Sequence, residues 1–469
     1  MLRSGFWVSF SSVSVNAITT IRQIALARLL TPEIFGLMSI CSIIIRGMQV
    51  ITELGFGAAL IHRQSSFEES KDTAFTMTSI RGVILTLFVA LLISPIAAWF
   101  YRRSELNILL QVLALTFFID SLRNINTIAL QKELDFKLLT YISQASSVIS
   151  TCIVITLAWY MRNVWALVIG SIFNSIVNLT MSYVFVPGRP KFMLHKDIVK
   201  DLFHYGKFIT GLSIVTFFVT ELDNIVIGKI IGIPALGYYA IAFTLANLPA
   251  THISKVASQI LFPLYSKMQH DVKALRKGYS HALSLVSGIT IPAAAGLIVL
   301  APEIIGCVYG EKWLPAVIPL QLLAIFGVIR SVVVLIGYLM NGIGQPKTNF
   351  KIACVRAIVI VSIIYPLSAN LGIVGVALAV NVSIAIQLLL CMIKLRQAIE
   401  LSLKDQVAIL LPWVIYSFAM ATLIIAIKQY LIIGIVELPF AIMFGAASYF
   451  MLARKRIKNT LSVLKLSKT

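Results

Sequence analysis

Arg28-Leu-Leu-Thr-Pro-Glu-Ile-Phe-Gly36-Leu37 joins two long apolar runs, 6–27 and 35–60, and the same plan returns about 201 residues later as Lys229-Ile-Ile-Gly-Ile-Pro-Ala-Leu-Gly237-Tyr238. Each copy has a basic residue, two aliphatics, a proline and then a glycine. Proline is tolerated in the first turn of a helix, where its missing N–H has no partner to lose, so each copy reads as a turn that enters a helix. The run before the first copy carries Ser9, Ser12, Asn16, Thr20 and Gln23 at spacings of three or four, which puts all five on one helix face, with Arg22 beside them. The run after it carries Arg46 near its middle and Glu53 further along. The recurrence of the turn marks the chain as duplicated.

Composition sets the solvent of these runs. Hydrophobic residues make up 59% of the 469 and charged residues 12%, and mean hydropathy is +0.92; these values lie far from those of a soluble domain. An apolar run of about 20 residues crosses the roughly 30 Å hydrocarbon layer as a helix. Fourteen are present: 6–27, 35–60, 74–99, 106–130, 138–160, 164–186, 206–231, 236–264, 282–308, 316–340, 350–369, 372–393, 406–427 and 431–453. Barrel strands alternate over about 10 residues and these runs do not, so the expected class is an all-α polytopic membrane protein. The first run lacks a small-residue cleavage pattern and is expected to stay in the membrane, not to be cleaved as a signal peptide.

The basic segment from Pro187 to His204 separates the sixth run from the seventh. The expected organisation is therefore a six-helix lobe over 1–204, a second over 205–399, and two additional helices with a basic tail over 400–469. Two halves of six helices keep the same orientation and form parallel repeats around a central cavity. Asp135-Phe-Lys137 and Asn349-Phe-Lys351, before the fifth and eleventh runs, are a second echo of the repeat. Segments on the outer side are short, too short to hold a domain.

A net charge of +20 invites a nucleic-acid reading. Its placement argues otherwise: with a cytoplasmic N-terminus, 25 Lys and Arg fall on the cytoplasmic side and seven on the other, namely Arg28, Arg102, Arg103, Arg162, Lys229, Lys312 and Lys428. That asymmetry is the positive-inside rule, with both termini cytoplasmic and anionic lipid as a secondary partner. The five cysteines all fall inside runs without C-x-x-C spacing, so neither a metal site nor a disulfide framework is expected. There is no Gly-rich phosphate loop, H-E-x-x-H or nucleophile elbow; no enzyme activity and no cofactor is expected, and coupling to an ion gradient or the membrane potential stays open.

Seven basic residues, Arg22, Arg46, Arg81, Arg123, Lys255, Arg330 and Arg356, lie inside the runs against four acids, Glu53, Asp120, Glu221 and Asp223. Each central charge costs about 2.5 to 3.5 kcal/mol on insertion scales, so these groups must face water or one another. A structural reading pairs Asp120 with Arg123, Glu53 with Arg46 or Arg81, and Asp223 with Arg22. Four acids cannot neutralise seven bases, and Arg356 alone is near enough to an end to snorkel, so an excess of at least two positive charges remains. Such an interior suits an anion, because guanidinium grips phosphate and carboxylate oxygens bidentately. Arg22, Arg46, Arg81, Arg123, Lys255 and Arg330 are the candidate substrate-binding residues; Glu53, Asp120, Glu221 and Asp223 are candidates for ion coupling or charge pairing.

Six stretches, the opening turn among them, carry a family resemblance: Ala27-Arg-Leu-Leu-Thr-Pro-Glu-Ile-Phe-Gly36, Glu53-Leu-Gly-Phe-Gly-Ala-Ala-Leu-Ile61, Leu130-Gln-Lys-Glu-Leu-Asp-Phe136, Phe262-Pro-Leu-Tyr-Ser266, Tyr309-Gly-Glu-Lys-Trp313 and Asn341-Gly-Ile-Gly-Gln-Pro346. In this order they resemble the Wzx-type polysaccharide flippases of the multidrug/oligosaccharidyl-lipid/polysaccharide exporter superfamily, in the branch of teichuronic-acid and colanic-acid exporters. The resemblance implies transport of an undecaprenyl-diphosphate-linked oligosaccharide to the outer leaflet of the bacterial inner membrane by alternating access. It also implies a diphosphate-binding role for Arg22 and Arg46, two extra C-terminal helices, and a polysaccharide polymerase complex as a candidate partner. The runner-up is a multidrug exporter of the same fold; such exporters mostly handle cations, for which an acidic cavity would be expected.

Overall fold

The computed structural model describes residues 2–52, 67–132, 136–195, 217–430, 434 and 436–466; within the helices, the side chains of 2–13, 67–70, 129, 131–132, 136, 252–260, 430 and 459–466 fall outside that description. The described residues are helical with no strand among them. Every expected run carries helix, numbered here α1 (Leu2–Leu29), α2 (Pro32–Thr52), α3 (67–101), α4 (Glu105–Ser121), α5 (Phe136–Met161), α6 (Val164–Phe185), α7 (217–231), α8 (Ile233–Lys267), α9 (Val272–Val299), α10 (Val317–Gly342), α11 (346–371), α12 (373–399), α13 (Leu403–Tyr430) and α14 (Glu437–Leu466). Among the described residues, nine stretches are long and apolar enough to cross a membrane by length and composition. The longest, Pro346–Ile399, holds both α11 and α12, because Gly372 breaks it with φ 57° and ψ −137°, a conformation closed to side chains with a Cβ.

Backbone chemistry explains two other interruptions. In α3, Val89–Ile93 is a π turn closed by the Ser94 N–H on the Val89 carbonyl, and Pro95 follows at once. Proline donates nothing and crowds the carbonyl four residues back, and the wider turn relieves both. The fourth run, expected to be continuous over 106–130, instead stops at Ser121 and resumes at Thr127–Lys132. Asn124 is the cause. Its fully buried amide donates to the Val186 and Gly188 carbonyls at 3.1 and 2.9 Å and accepts from the Asn126 N–H at 3.1 Å, so it competes with the helical ladder.

The basic stretch between the eighth and ninth runs is also mostly helix: α8 runs to Lys267, α9 starts at Val272, and only 268–271 turn. Asp271 caps α9 by accepting the Ala274 N–H at 2.9 Å.

Contacts divide the chain into two compact units, Met1–Gly237 and Tyr238–Thr469. This division follows packing, whereas the expected lobe boundary at 204 to 205 follows the repeat and lies outside the described residues. In the first unit α1 packs on α5 and α6 on α5 and α4, around Leu26, Leu30, Val154, Ala158, Ala166 and Leu167. Helices α3 and α4 close on Leu85, Val89, Ala114 and Phe117.

The first unit also holds both copies of the duplicated turn, and they touch. Gly36 lies against the Ile233 carbonyl so closely that a Cβ would overlap it, and Gly237 lies in the same way against the Pro32 carbonyl. Position 36 corresponds to 237 and 32 to 233, so the contact is reciprocal, as a two-fold relation between repeats requires.

In the second unit α10 packs on α9 and on the α11–α12 stretch. Helices α13 and α14 have no counterpart in the first half; they dock on α9, where Trp413 Nε1 donates to Ser284 Oγ at 3.2 Å and the Tyr449 hydroxyl donates to the Gly288 carbonyl at 2.7 Å. Lys428 joins them at the other end by pairing with Glu303 at 2.6 Å.

Candidate functional site

Two hydroxyls of α1 are satisfied within the helix. Thr19 and Thr20 donate their hydroxyls to the Val15 and Asn16 carbonyls at 2.9 Å, the usual way to place a hydroxyl inside a membrane helix. Arg22 is half-buried and makes no hydrogen bond or ion pair with the described residues. The pairing with Asp223 is therefore not formed. Asp223 is buried and accepts the Asn224 N–H at 2.9 Å.

Arg46 does have an acid, drawn from another helix. Its guanidinium lies 3.2 Å from Glu221 of α7, with Arg46 56% exposed and Glu221 11%. Nε also donates to the Ser42 carbonyl at 3.3 Å. The second oxygen of Glu221 accepts from Asn224 Nδ2 at 2.9 Å, so the carboxylate is held from two sides. Glu53, the expected partner of Arg46 or Arg81, lies outside the described residues, and so does that pairing.

Arg81, Asp120 and Arg123 line one cleft of about 220 Å³ beside the broken end of α4. Asp120 and Arg123 pair at 2.8 Å across one helical turn, as their spacing predicts, and Arg81 donates to the Thr52 carbonyl at 3.1 Å. In the second unit Arg330 of α10 donates to Asn247 Oδ1 of α8 at 2.8 Å and makes no ion pair among the described residues. Arg356 does not snorkel: it donates to Gln387 Oε1 at 3.4 Å, with its guanidinium carbon 5.8 Å from the Phe326 ring centroid. The Lys255 side chain lies outside the described residues.

These positions sort the candidates by how much charge they keep. Among the described residues, Arg46 and Arg123 each have a carboxylate, whereas Arg330 has an amide and Arg22 makes no polar contact. No group of three or more metal-ligating side chains is found among the described residues.

Sequence reading missed Asn247 and Asn224, because uncharged amides in a membrane run carry no signal without a partner. It also missed a cleft of about 560 Å³ between α9, α13 and α14, lined by Gly288, Ile289, Trp413, Gly445, Tyr449 and other residues without one charged side chain. The small residues of α9 and α14, Gly288, Gly296, Gly445 and Ala446, were its available trace.

Comparison with known proteins places this geometry. The family model described as polysaccharide biosynthesis protein matches residues 25–318. The teichuronic acid biosynthesis protein TuaB of Bacillus subtilis is 29% identical over 327 residues, covering 69% of this chain and 67% of that protein. The lipopolysaccharide biosynthesis protein WzxC of Escherichia coli is 26% identical over 381 residues, covering 79% and 76%. Among solved structures, lipid II flippase MurJ in an inward closed conformation superposes with a TM-score of 0.75 at 16% identity, covering 98% of this chain and 100% of that one. An inward-facing multidrug resistance MATE transporter reaches 0.63 at 16% identity, covering 82% and 96%. The chain shares its fold with both structures, and the match over residues 25–318 shows that it belongs to the polysaccharide biosynthesis protein family.

Proposed function

We propose that this protein is a flippase that carries an undecaprenyl-diphosphate-linked oligosaccharide from the cytoplasmic to the outer leaflet of the bacterial inner membrane by alternating access, with both termini in the cytoplasm. The observation that carries the reading is a pair of guanidiniums inside membrane helices, Arg22 and Arg330, that meet no carboxylate among the described residues. Their charge is expensive to bury and suits a diphosphate. Relatives named for teichuronic acid and lipopolysaccharide biosynthesis, together with a lipid II flippase fold, support the substrate class. A polysaccharide polymerase complex is the natural recipient of the flipped glycan. Glu221 and Asp223, with Asp120 and Glu53, are the acids through which an ion gradient would act.

The competing reading is a multidrug exporter, to which the MATE fold also belongs. An uncompensated positive charge disfavours the cationic compounds such exporters mostly handle. Reconstitution decides between them. Vesicles containing the protein should move an undecaprenyl-diphosphate oligosaccharide between leaflets, read by its accessibility to a membrane-impermeant lectin. Transport of a cationic dye without movement of the lipid-linked glycan would reverse the assignment.

A further inference from the structure

The duplicated turn supplies a register between the halves. Gly36 and Gly237 correspond, and ten residues beyond each stand Arg46 and Asn247. The first half carries a guanidinium at this place on its second helix. The second half carries an amide, and that amide receives a guanidinium from α10, Arg330 Nη1 to Asn247 Oδ1 at 2.8 Å. In register, then, the first half has a guanidinium as this side chain and the second half has one bonded to it.

The contact in the second half is built. Asn247 is buried, and its Nδ2 donates to the Phe243 carbonyl at 2.9 Å, which turns Oδ1 toward Arg330. Gly327, one turn before Arg330, has no side chain because a Cβ there would come within 2.6 Å of the Ala246 carbonyl oxygen. That close approach brings α10 against α8 beside Asn247. Arg330 has five N–H donors, and Asn247 takes one.

An aspartate at 247 would hold the same guanidinium more strongly, since a charge-assisted bond is about twice as strong as a neutral one. It would also cancel the charge. We propose that Arg330 is an anion-binding group for the substrate's diphosphate and that Asn247 is a positioning residue, neutral because it must orient the guanidinium without discharging it. This inference rests on the flippase reading and adds the residue that presents the charge.

The test compares stability with affinity. Full-length protein in nanodiscs is titrated with undecaprenyl diphosphate, binding is read by native mass spectrometry, and thermal unfolding is followed in parallel. Asn247→Asp should unfold no lower than wild type and bind at least about tenfold more weakly, because a charge-assisted contact is lost. A purely structural Asn247 predicts the same stability with binding unchanged; that result overturns the inference and leaves the flippase reading standing. Absence of binding by wild type itself would remove the flippase reading first. Should Asn247→Asp fail to fold, Arg330→Gln decides, because its amide keeps a bond to Asn247 without the charge. A tenfold loss supports the proposal and unchanged binding overturns it, while Arg330→Lys should recover part of the affinity as a point charge.

Discussion

Gly36 of α2 and Ile233 of α8 meet backbone to backbone, and Gly237 meets Pro32 in the mirror arrangement, so each repeat plugs its glycine against the first turn of the other. Gly36→Ala and Gly237→Ala should each destabilise the protein by about 1 to 3 kcal/mol, the usual range for forcing atoms into a filled contact. The two costs should be similar, and the double variant should cost less than their sum, because the first wedge already separates the backbones. Thermal unfolding in detergent measures all three. Unequal single effects, or strict additivity, would contradict a reciprocal contact.

The ion pair between Arg46 and Glu221 is lopsided in burial, and this predicts a lopsided response. Arg46→Gln leaves a nearly buried carboxylate with only Asn224 for support and should cost about 1 to 3 kcal/mol. Glu221→Gln leaves a guanidinium that is 56% exposed and should cost below about 1 kcal/mol. Diphosphate binding should follow a different order. Glu221→Gln removes the competitor for Arg46 and should keep or tighten diphosphate binding, whereas Arg46→Gln should weaken it by about 10- to 150-fold and Arg46→Lys by less. Binding of undecaprenyl diphosphate per unit of folded protein separates the two effects. Unchanged binding by well-folded Arg46→Gln would take Arg46 out of the site.

Much of this was legible in the one-dimensional pattern, for a physical reason. A membrane span must satisfy its backbone within itself, so length and hydropathy alone find it, and all fourteen runs carry helix. The duplicated turn was equally plain, because proline and glycine requirements are local. Pairing was not. Arg46 and Glu221 are 175 positions apart, and nothing in either stretch selects the other over Glu53, which is only seven away. The break at Asn124 was invisible for the same reason, since its partners Val186 and Gly188 lie about 60 residues on.

Asn124 itself should be one of the more sensitive polar positions of the first unit. Its side chain makes three described hydrogen bonds, and its own N–H receives Ser182 Oγ as acceptor at 3.1 Å. Asn124→Ala strands the carbonyl of buried Val186 and frees that of exposed Gly188, and should cost about 1 to 3 kcal/mol. The segment it anchors continues over α3, where the Lys191 N–H donates to Asp72 at 3.0 Å and the Met193 N–H to Thr76 Oγ1 at 3.0 Å. Those contacts are exposed, so Asp72→Ala should cost less than about 1 kcal/mol. Limited proteolysis near residue 190 should rise sharply in Asn124→Ala and only slightly in Asp72→Ala; equal rises would place the anchor elsewhere.

The final prediction concerns which side of the membrane the α8–α9 hairpin occupies. Helix α8 has 35 residues and is about 52 Å long, and α9 has 28 and is about 42 Å long. Both exceed the roughly 30 Å hydrocarbon layer, so their shared turn at 268–271 should stand clear of it. Lys267, Lys273, Arg276 and Lys277 sit on the last and first turns around that tip, and Arg276 reaches Asp405 at the start of α13, 3.2 Å away. Positive charge at helix ends faces the cytoplasm. A cysteine replacing exposed His270, in a background where the native cysteines are replaced, should react with a membrane-impermeant maleimide in inside-out vesicles and stay unreacted in intact cells. A cysteine replacing Glu105, at the start of α4, should show the reverse. Labelling of position 270 from outside would invert the assigned orientation, and with it the direction of transport.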